Sequence, residues 1–435
     1  MPDTTQDKQF FTVARVFFLL IVIPLLLMSF LIANGIFQLG DTSRKRAVTV
    51  LDQKSQEEIG VRAANVAEEV AVFLQERGKD VLIATILPST EAAYKEFVDT
   101  NRQPLWVKRD GKIVKVFERL YSEMSLVTRT GDEVIKIVDG EVVPAEGLRN
   151  VSDPANTAFK SEDYFMQTQK LSKGDMYMSP LTGWYVNRSD YEAGARFAGI
   201  IRMATPLFDK DGFAGLIVLA LDARHLAQFT DTIVPTEPGR VFEADTATGN
   251  YAFMVDNRGM VISHPNDYHI AGLYKDGTAV PPLTKETMDA MSAKGEEVLN
   301  YNLAGYIDAV LPDVARSAAQ GESGIEKYAI SGSNMILAYA PIPYFSKSHP
   351  KPAGFGWIGM GVDVKKFTEL AMQASQKIEK EAKAWTATII LILIAAVIIL
   401  FLISAMLARG ITRSIAAEVP EDALNPDMYD DEEED

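Results

Sequence analysis

Two long uncharged runs dominate the pattern of hydrophobic and polar positions. Residues 16–39 read VFFLLIVIPLLLMSFLIANGIFQL, and residues 385–408 read WTATIILILIAAVIILFLISAMLA. At about 1.5 Å per residue, each is long enough to cross a hydrocarbon core of ~30 Å. Backbone polar groups find no water there, so each run is expected to be a helix, with Pro24 as a kink. The first run is too long for the apolar part of a signal peptide and has no clear small-x-small cleavage site after it, so it reads as an anchor. Two spans put residues 1–15 and 409–435 on one side and residues 40–384 on the other. Basic residues flank both ends of both spans, Arg15 and Arg409 on one side and Arg44 and Lys383 on the other, so they do not orient the chain.

Between the runs the pattern changes twice. Over residues 41–85, Val50, Ile59, Ala63, Val66, Val70 and Phe73 recur near helical spacing, and no proline intervenes before Pro88. This predicts a stalk helix of ~60 Å, able to pair with a second copy. From about Trp106 the texture becomes short strands and tight turns. LYSEMSLVTRTGDEVIKIVDGEVV turns at Thr130-Gly131-Asp132 and at Asp139-Gly140, and DMYMS is a further strand. FAGIIRMATPLFDKDGFAGLIVLALDARHL is two apolar strands around Asp209-Lys210-Asp211-Gly212, running into a helix near Ala223. The same logic returns in YAFMVDNRGMVISHPN, in GESGIEKYAISGSNMILAYAPIP with a turn at Ser331-Gly332-Ser333, and in GFGWIGMGVDVKKF. Each series closes on a strand that ends in an aspartate before a helix. The expected fold is therefore α+β: a long N-terminal stalk helix, then two tandem antiparallel-sheet units (86–232 and 233–370), then a helix into the membrane (371–384), the whole flanked by two transmembrane helices.

Composition narrows the chemistry. The chain nets −16, and residues 418–435 carry much of that charge in a run expected to be a disordered, solubilising tail. No dense basic stripe points to nucleic acid. The absence of cysteine removes disulfides, thiolate metal sites and cysteine nucleophiles. Of four histidines, His264 and His269 lie close together around Asp267, a spacing that reads as a polar loop rather than a metal site. No nucleophile elbow, phosphate loop or zinc-protease helix occurs, so neither catalysis nor a cofactor is expected.

A binding site is the better expectation. Tyr164, Phe165, Tyr177, Ser179, Trp184, Tyr185 and Tyr191 gather aromatic and hydroxyl groups in one short segment. In GIIRMATP, period-two alternation places Ile200, Arg202 and Ala204 on one sheet face. A guanidinium there either anchors an anionic ligand group, with Trp184 and Tyr185 closing over it, or lies on a solvated face while the aromatics are core. The candidate ligand-binding set is Tyr164, Tyr177, Ser179, Trp184, Tyr185 and Arg202.

These segments resemble a known family. YAFMVDNRGMVISHPND, AYAPIPYF and FGWIGMGVDVKKF are similar to the membrane-proximal half of a double Cache sensor domain. DYFMQTQ, DMYMSPLTGWY and RMATPLFDKDGFAGLIVLALDARHL are similar to its membrane-distal half. The resemblance covers residues 41–384 and implies two PAS-like units of a bacterial chemoreceptor or sensor kinase. It also implies that the large loop faces the periplasm or exterior, that the spans sit in the inner membrane, and that a small molecule binds in the distal unit. Members that bind amino acids carry Arg-x-Trp-Tyr and an aspartate for the ammonium. Here the text is Thr182-Gly183-Trp184-Tyr185, and an apolar residue stands on GLIVLALD where the aspartate is expected, which shifts the expectation to a carboxylate or another small metabolite. Family members continue into a HAMP bundle and an output domain. Ile411-Thr412-Arg413-Ser414-Ile415 resembles a HAMP start, but the chain then turns acidic, so the expectation is either signalling through a separate cytoplasmic partner, or a receptor fragment or the product of a degenerate gene, its output missing. A scaffold without signalling and an extracytoplasmic enzyme are the alternatives.

Overall fold

The computed structural model describes residues 4–109, 112–242, 244–330 and 332–418. The acidic tail beyond Glu418 and Ser331 of the predicted turn lie outside the described residues. The chain divides into two compact units, residues 1–51 with 369–435, and residues 52–368.

Helix α1 runs Thr4–Ala84, with Pro24 inside it. The predicted span and stalk are thus one element: the single Gly40 between them costs about 1 kcal/mol of helix propensity, too little to end a helix of this length. The chain ends its described part in α8, Val364–Glu418, which joins the closing helix to the second apolar run. Within the smaller unit, Phe18 and Phe401 meet edge to face at 5.6 Å. Apolar side chains such as Leu20, Phe30, Leu391 and Met406 are exposed. The stretches Phe18–Ser43 and Ser375–Leu407 fit membrane spans by length and composition.

In the larger unit, α1 buries Ile59, Ala63, Val66, Val70 and Phe73 as the spacing predicts; Val50, in the smaller unit, is exposed. Helix α2 (Glu91–Thr100) starts where the Thr90 hydroxyl accepts the amide of Ala93. A hairpin follows, β1 (Arg102–Arg109) and β2 (Lys112–Arg119), which forms its own two-stranded sheet. Its one face buries Leu105, and the other exposes Trp106, Ile113 and Phe117.

The first large sheet comprises β3 (Tyr121–Thr128), β4 (Glu133–Val138), β5 (Glu141–Val142), β6 (Tyr177–Met178), β7 (Thr182–Gly183), β8 (Gly199–Asp209) and β9 (Gly212–Asp222). Short helices α3 (Tyr164–Gln169) and α4 (Arg188–Glu192) lie in the excursions before β8, and α5 (Arg224–Asp231) follows β9. The order is β5-β4-β3-β9-β8-β6, with β7 also on β8. The β8–β9 turn falls at the predicted Asp209–Gly212, where Gly212 takes φ +104°, a conformation side-chain-bearing residues rarely adopt.

The second sheet comprises β10 (Tyr251–Asp256), β11 (Val261–Ser263), β12 (Gly324–Ile330), β13 (Ser333–Ile342) and β14 (Gly356–Asp363), with α6 (Met288–Ser292) and α7 (Val310–Ala319) before β12. Its order is β11-β10-β14-β13-β12. In both sheets the closing strand lies between the opening strand and the penultimate one. That shared order is the structural form of the repeat seen in the sequence.

The connector between the sheets is strapped to α1. The Arg62 guanidinium donates to the carbonyls of Val234 at 2.9 Å, Pro235 at 3.0 Å and Glu237. Arg240 of the connector reaches back to Glu69 at 3.3 Å and to the Gln228 carbonyl at 3.0 Å.

Candidate ligand-binding cleft

The segment leading into α3 and the β6–β7 stretch forms one wall of a cleft of about 540 Å³, and the loops after β10 and β11 form the other. Tyr164, Tyr177 and Ser179 of the expected set line it, together with Glu162, Asp163 and Thr182. The facing wall brings Arg258, Met260, Leu273, Val280 and Pro281. A cleft of this size, half apolar and with few polar groups, suits a small molecule.

Arg202 takes neither role that alternation allowed. It is 2% exposed, so it is not on a solvated face, and it does not line the cleft. Its Nε donates to Glu162 Oε1 at 2.6 Å, and its Nη1 donates to Glu123 Oε2 at 2.6 Å. Across the sheet, Glu123 and Arg202 are both register partners of Ala220, and that small residue lets the long side chains meet over it. Lys136 adds contacts to Glu133 at 2.8 Å and to Glu123 at 3.9 Å. Burial alone would push the Arg202 guanidinium down, but Glu123 and Glu162 hold it well above its ordinary value. Burial likewise works against ionised Glu123, and Arg202 and Lys136 outweigh it, holding its carboxyl below the usual range. Arg202 nonetheless shapes the cleft from behind. It fixes Glu162, its backbone amide donates to Ser179 Oγ at 2.8 Å, and its guanidinium lies 5.2 Å from the centre of the Tyr164 ring.

Trp184 and Tyr185 also lie off the cleft. Trp184 packs 5.1 Å from Phe159, in an apolar cluster with Ile200, Ala220 and Leu273. The Lys275 ammonium sits 4.7 Å over its ring. Trp184 thus packs against Phe159 and does not line the cleft. Tyr185 is a fastener between the halves. Its hydroxyl donates to the Tyr268 carbonyl at 2.9 Å and accepts the Glu297 amide at 2.8 Å, and its own amide donates to the Leu273 carbonyl at 2.9 Å. Gly272 is required there, because a Cβ would stand 2.7 Å from the Tyr185 Cα.

Asp163 and Arg258 are among the cleft residues that lie outside the set expected from the sequence. Asp163 precedes α3; its Oδ1 accepts the Tyr177 hydroxyl at 3.0 Å, and its Oδ2 accepts the Gln167 amide at 2.8 Å. Arg258, in the β10–β11 turn, donates through Nε to Asp256 at 2.8 Å and through Nη2 at 2.7 Å. The available signals were an aspartate opening a helix and a turn that faces the other half only in three dimensions. Burial pushes the Tyr177 and Tyr164 phenols up, so both are neutral and able to donate and accept.

His264 and His269 pack ring to ring at 4.8 Å. Each Nδ1 is occupied, by the Asn266 amide and the Glu297 carbonyl. Among the described residues, no group of three His, Cys, Asp or Glu side chains is placed to hold a metal.

The Cache domain family model dCache_1 matches residues 43–365, and the chain belongs to that family. No curated protein matches the chain. Among solved structures, a domain of a sensory box/GGDEF family protein from Vibrio parahaemolyticus is 15% identical and covers 74% of this chain and 99% of its own, with a TM-score of 0.41. The ligand-binding domain of the Pseudomonas fluorescens chemoreceptor CtaA, in complex with L-isoleucine, is 14% identical, covers 76% of this chain and 99% of its own, and has a TM-score of 0.40. The ligand-binding domain of the Pseudomonas aeruginosa PAO1 amino acid chemoreceptor PctB, in complex with L-Arg, is 14% identical, covers 76% and 98%, and has a TM-score of 0.41. Similarities this distant carry no residue role to this chain.

Proposed function

We propose that the protein is a membrane-anchored extracytoplasmic sensor that binds a small metabolite in the cleft between its two sheet halves. Residues 1–15 and 409–435 lie in the cytoplasm, and the anchoring membrane is the inner membrane. The observation that carries this reading is the cleft itself: a half-apolar cavity of about 540 Å³, walled by both halves of a Cache domain, with three of the six expected ligand-binding residues in its lining. A ligand held by both walls favours one arrangement of the halves over others, and α1 and α8 run from the sheet region into the two apolar stretches. The output is a shift of those helices, read on the cytoplasmic side of the membrane.

The sensor works as a homodimer. On the face of α1 that the sheets leave uncovered, Val61, Val72 and Ile83 are 61%, 45% and 48% exposed, one every eleven residues. That period suits pairing with an identical, nearly straight helix.

A thermal-shift screen of the full chain in lipid nanodiscs against small metabolites tests the sensor reading, since a ligand that binds only the folded state raises Tm with its concentration. A saturable shift that Tyr177→Phe diminishes is expected. Silence across amines, carboxylates, sugars and nucleobases would sink it.

A further inference from the structure

The open edge of the β1–β2 hairpin borders a second cavity, and we propose that this edge takes an extended peptide. The peptide adds to β1 as a third strand, places an apolar or aromatic side chain in the cavity and carries acidic neighbours.

The second cavity has a volume of about 540 Å³ and shares no lining residue with the cleft. Its walls are β1, α5 and the loops before β8 and after β11. Leu105, Trp106 and Val107 line it in succession. Side chains alternate between the two faces of a strand, so three consecutive residues share one wall only where the strand presents its edge. That edge is open. The hairpin is a sheet of two strands, and among the described residues no backbone group outside it bonds to Leu105, Trp106 or Val107. The register closes on Arg109↔Lys112. From such a closing pair, hydrogen-bonded positions alternate with unbonded ones. Val107 and Leu105 therefore bond β2, and Trp106 turns its N–H and C=O outward. Pro104, with no N–H to give, also falls at an outward position, where an edge strand tolerates it.

Pro104 shortens the ladder a peptide can form, so side-chain burial must supply most of the affinity. Leu105, Phe197, Ile262 and Ile270, each 3–9% exposed, give the cavity an apolar lining for it. Charges on the walls are met: Arg224 by Asp222 at 2.6 Å, Asp231 by the Ser263 hydroxyl at 2.8 Å, and Asp267 by the Phe197 amide at 2.6 Å. The hairpin itself supplies the charge preference. Residues 102–119 hold six lysines and arginines against Asp110 and Glu118, in a chain that nets −16. Lys112 and Lys115 are exposed beside Trp106, Ile113 and Phe117. Strand addition of this kind takes its affinity from main-chain bonds and its specificity from pockets for alternate side chains.

Four peptides test the proposal, titrated by calorimetry into the full chain in nanodiscs at pH 7. The parent is acetyl-Asp-Val-Phe-Val-Asp-amide. Two isomers carry N-methyl groups on alternate amides, and the fourth replaces both Asp by Lys. A strand offers β1 only every second amide, so one methylated isomer is expected to bind on the order of tenfold more weakly and the other about as tightly as the parent. The lysine peptide is expected to bind several-fold more weakly. Ala227→Phe, which fills the cavity from α5, is expected to weaken the parent peptide at least about tenfold, with an unchanged Tm of the free variant as the check on folding. The methylated pair needs no variant, so the test stands even where Ala227→Phe folds poorly. Equal binding by both isomers and the parent assigns the cavity to side chains alone and overturns strand addition. A lysine peptide as tight as the parent, or no binding by any of the four, also overturns the proposal. Self-association that Trp106→Ala abolishes, with no peptide bound, gives the edge to a second copy and overturns it as well.

Discussion

The two halves share a strand order but fill their sheets differently. Beneath the first sheet lie three carboxylates and two cations, Glu123, Glu133 and Glu162 with Arg202 and Lys136, joined by contacts of 2.6–3.9 Å. The second sheet is packed largely by aromatic rings. Phe253 stacks on Tyr301 at 5.0 Å and meets Trp357 at 5.7 Å, with His264 at 6.3 Å. A buried ionic network has demanding geometry, because each member left alone is severely penalised, whereas an aromatic core tolerates small shifts through many weak contacts. The half that supplies the acidic wall of the cleft is therefore the half whose interior is fixed by charge.

The largest expected effect breaks the first half alone. Arg202→Met strands Glu123 and Glu162 in the interior and should cost about 3–5 kcal/mol in chemical denaturation. Adding Glu123→Gln and Glu162→Gln should recover most of it. If the single variant is as stable as the parent, the network is not what holds this sheet.

Acid should act more strongly on the second half, which holds three of the four histidines that burial lowers; the fourth, His225, meets the Arg119 carbonyl of the first half. Burial lowers the proton affinity of His264 well below the usual imidazole value, with His269 adding to it; burial also lowers His269, and it pushes His349 down to about 4. The unfolded chain takes these protons near pH 6.5, before the folded chain does, so stability is full above that pH and falls as pH drops toward the folded values. His349 alone contributes a slope of about 1.4 kcal/mol per pH unit between them. Glu123, whose folded carboxyl is held low, keeps its share of stability until the pH is lower still. Hydrogen exchange at pH 7 and pH 5 should show amides of β10–β14 losing protection ahead of those of β3–β9; the reverse order would contradict the contrast.

The smallest effect concerns the join. Tyr185→Phe leaves the Glu297 amide without its partner and should cost about 1–3 kcal/mol. It should also broaden a single thermal transition toward two. A transition that stays sharp and unshifted would mean the halves cohere without this fastener.

Local signals made most of the elements legible. The apolar runs, the turn at Asp209–Gly212 and the strands entering α5 and α8 all follow from periodicity and turn chemistry within a few residues. The hairpin of β1 and β2 went unrecognised because Pro104 and scattered lysines blur its alternation. Site chemistry was harder to read for a different reason. The partners of Arg202 lie 40 and 79 residues away in sequence, so its face could be inferred but not its neighbours. The Trp-Tyr pair was visible, yet Phe159, which fills the space beside Trp184, came from a loop with no periodic signal. Asp163 and Arg258 become cleft residues only when two halves of the chain meet.

The double strap between α1 and the inter-sheet connector bears on how motion travels. With Arg62 gripping successive connector carbonyls and Arg240 reaching back to Glu69, the join is a crank rather than a tether. In the proposed sensor, a tilt of one sheet against the other would pull on the α1 rod through these bonds.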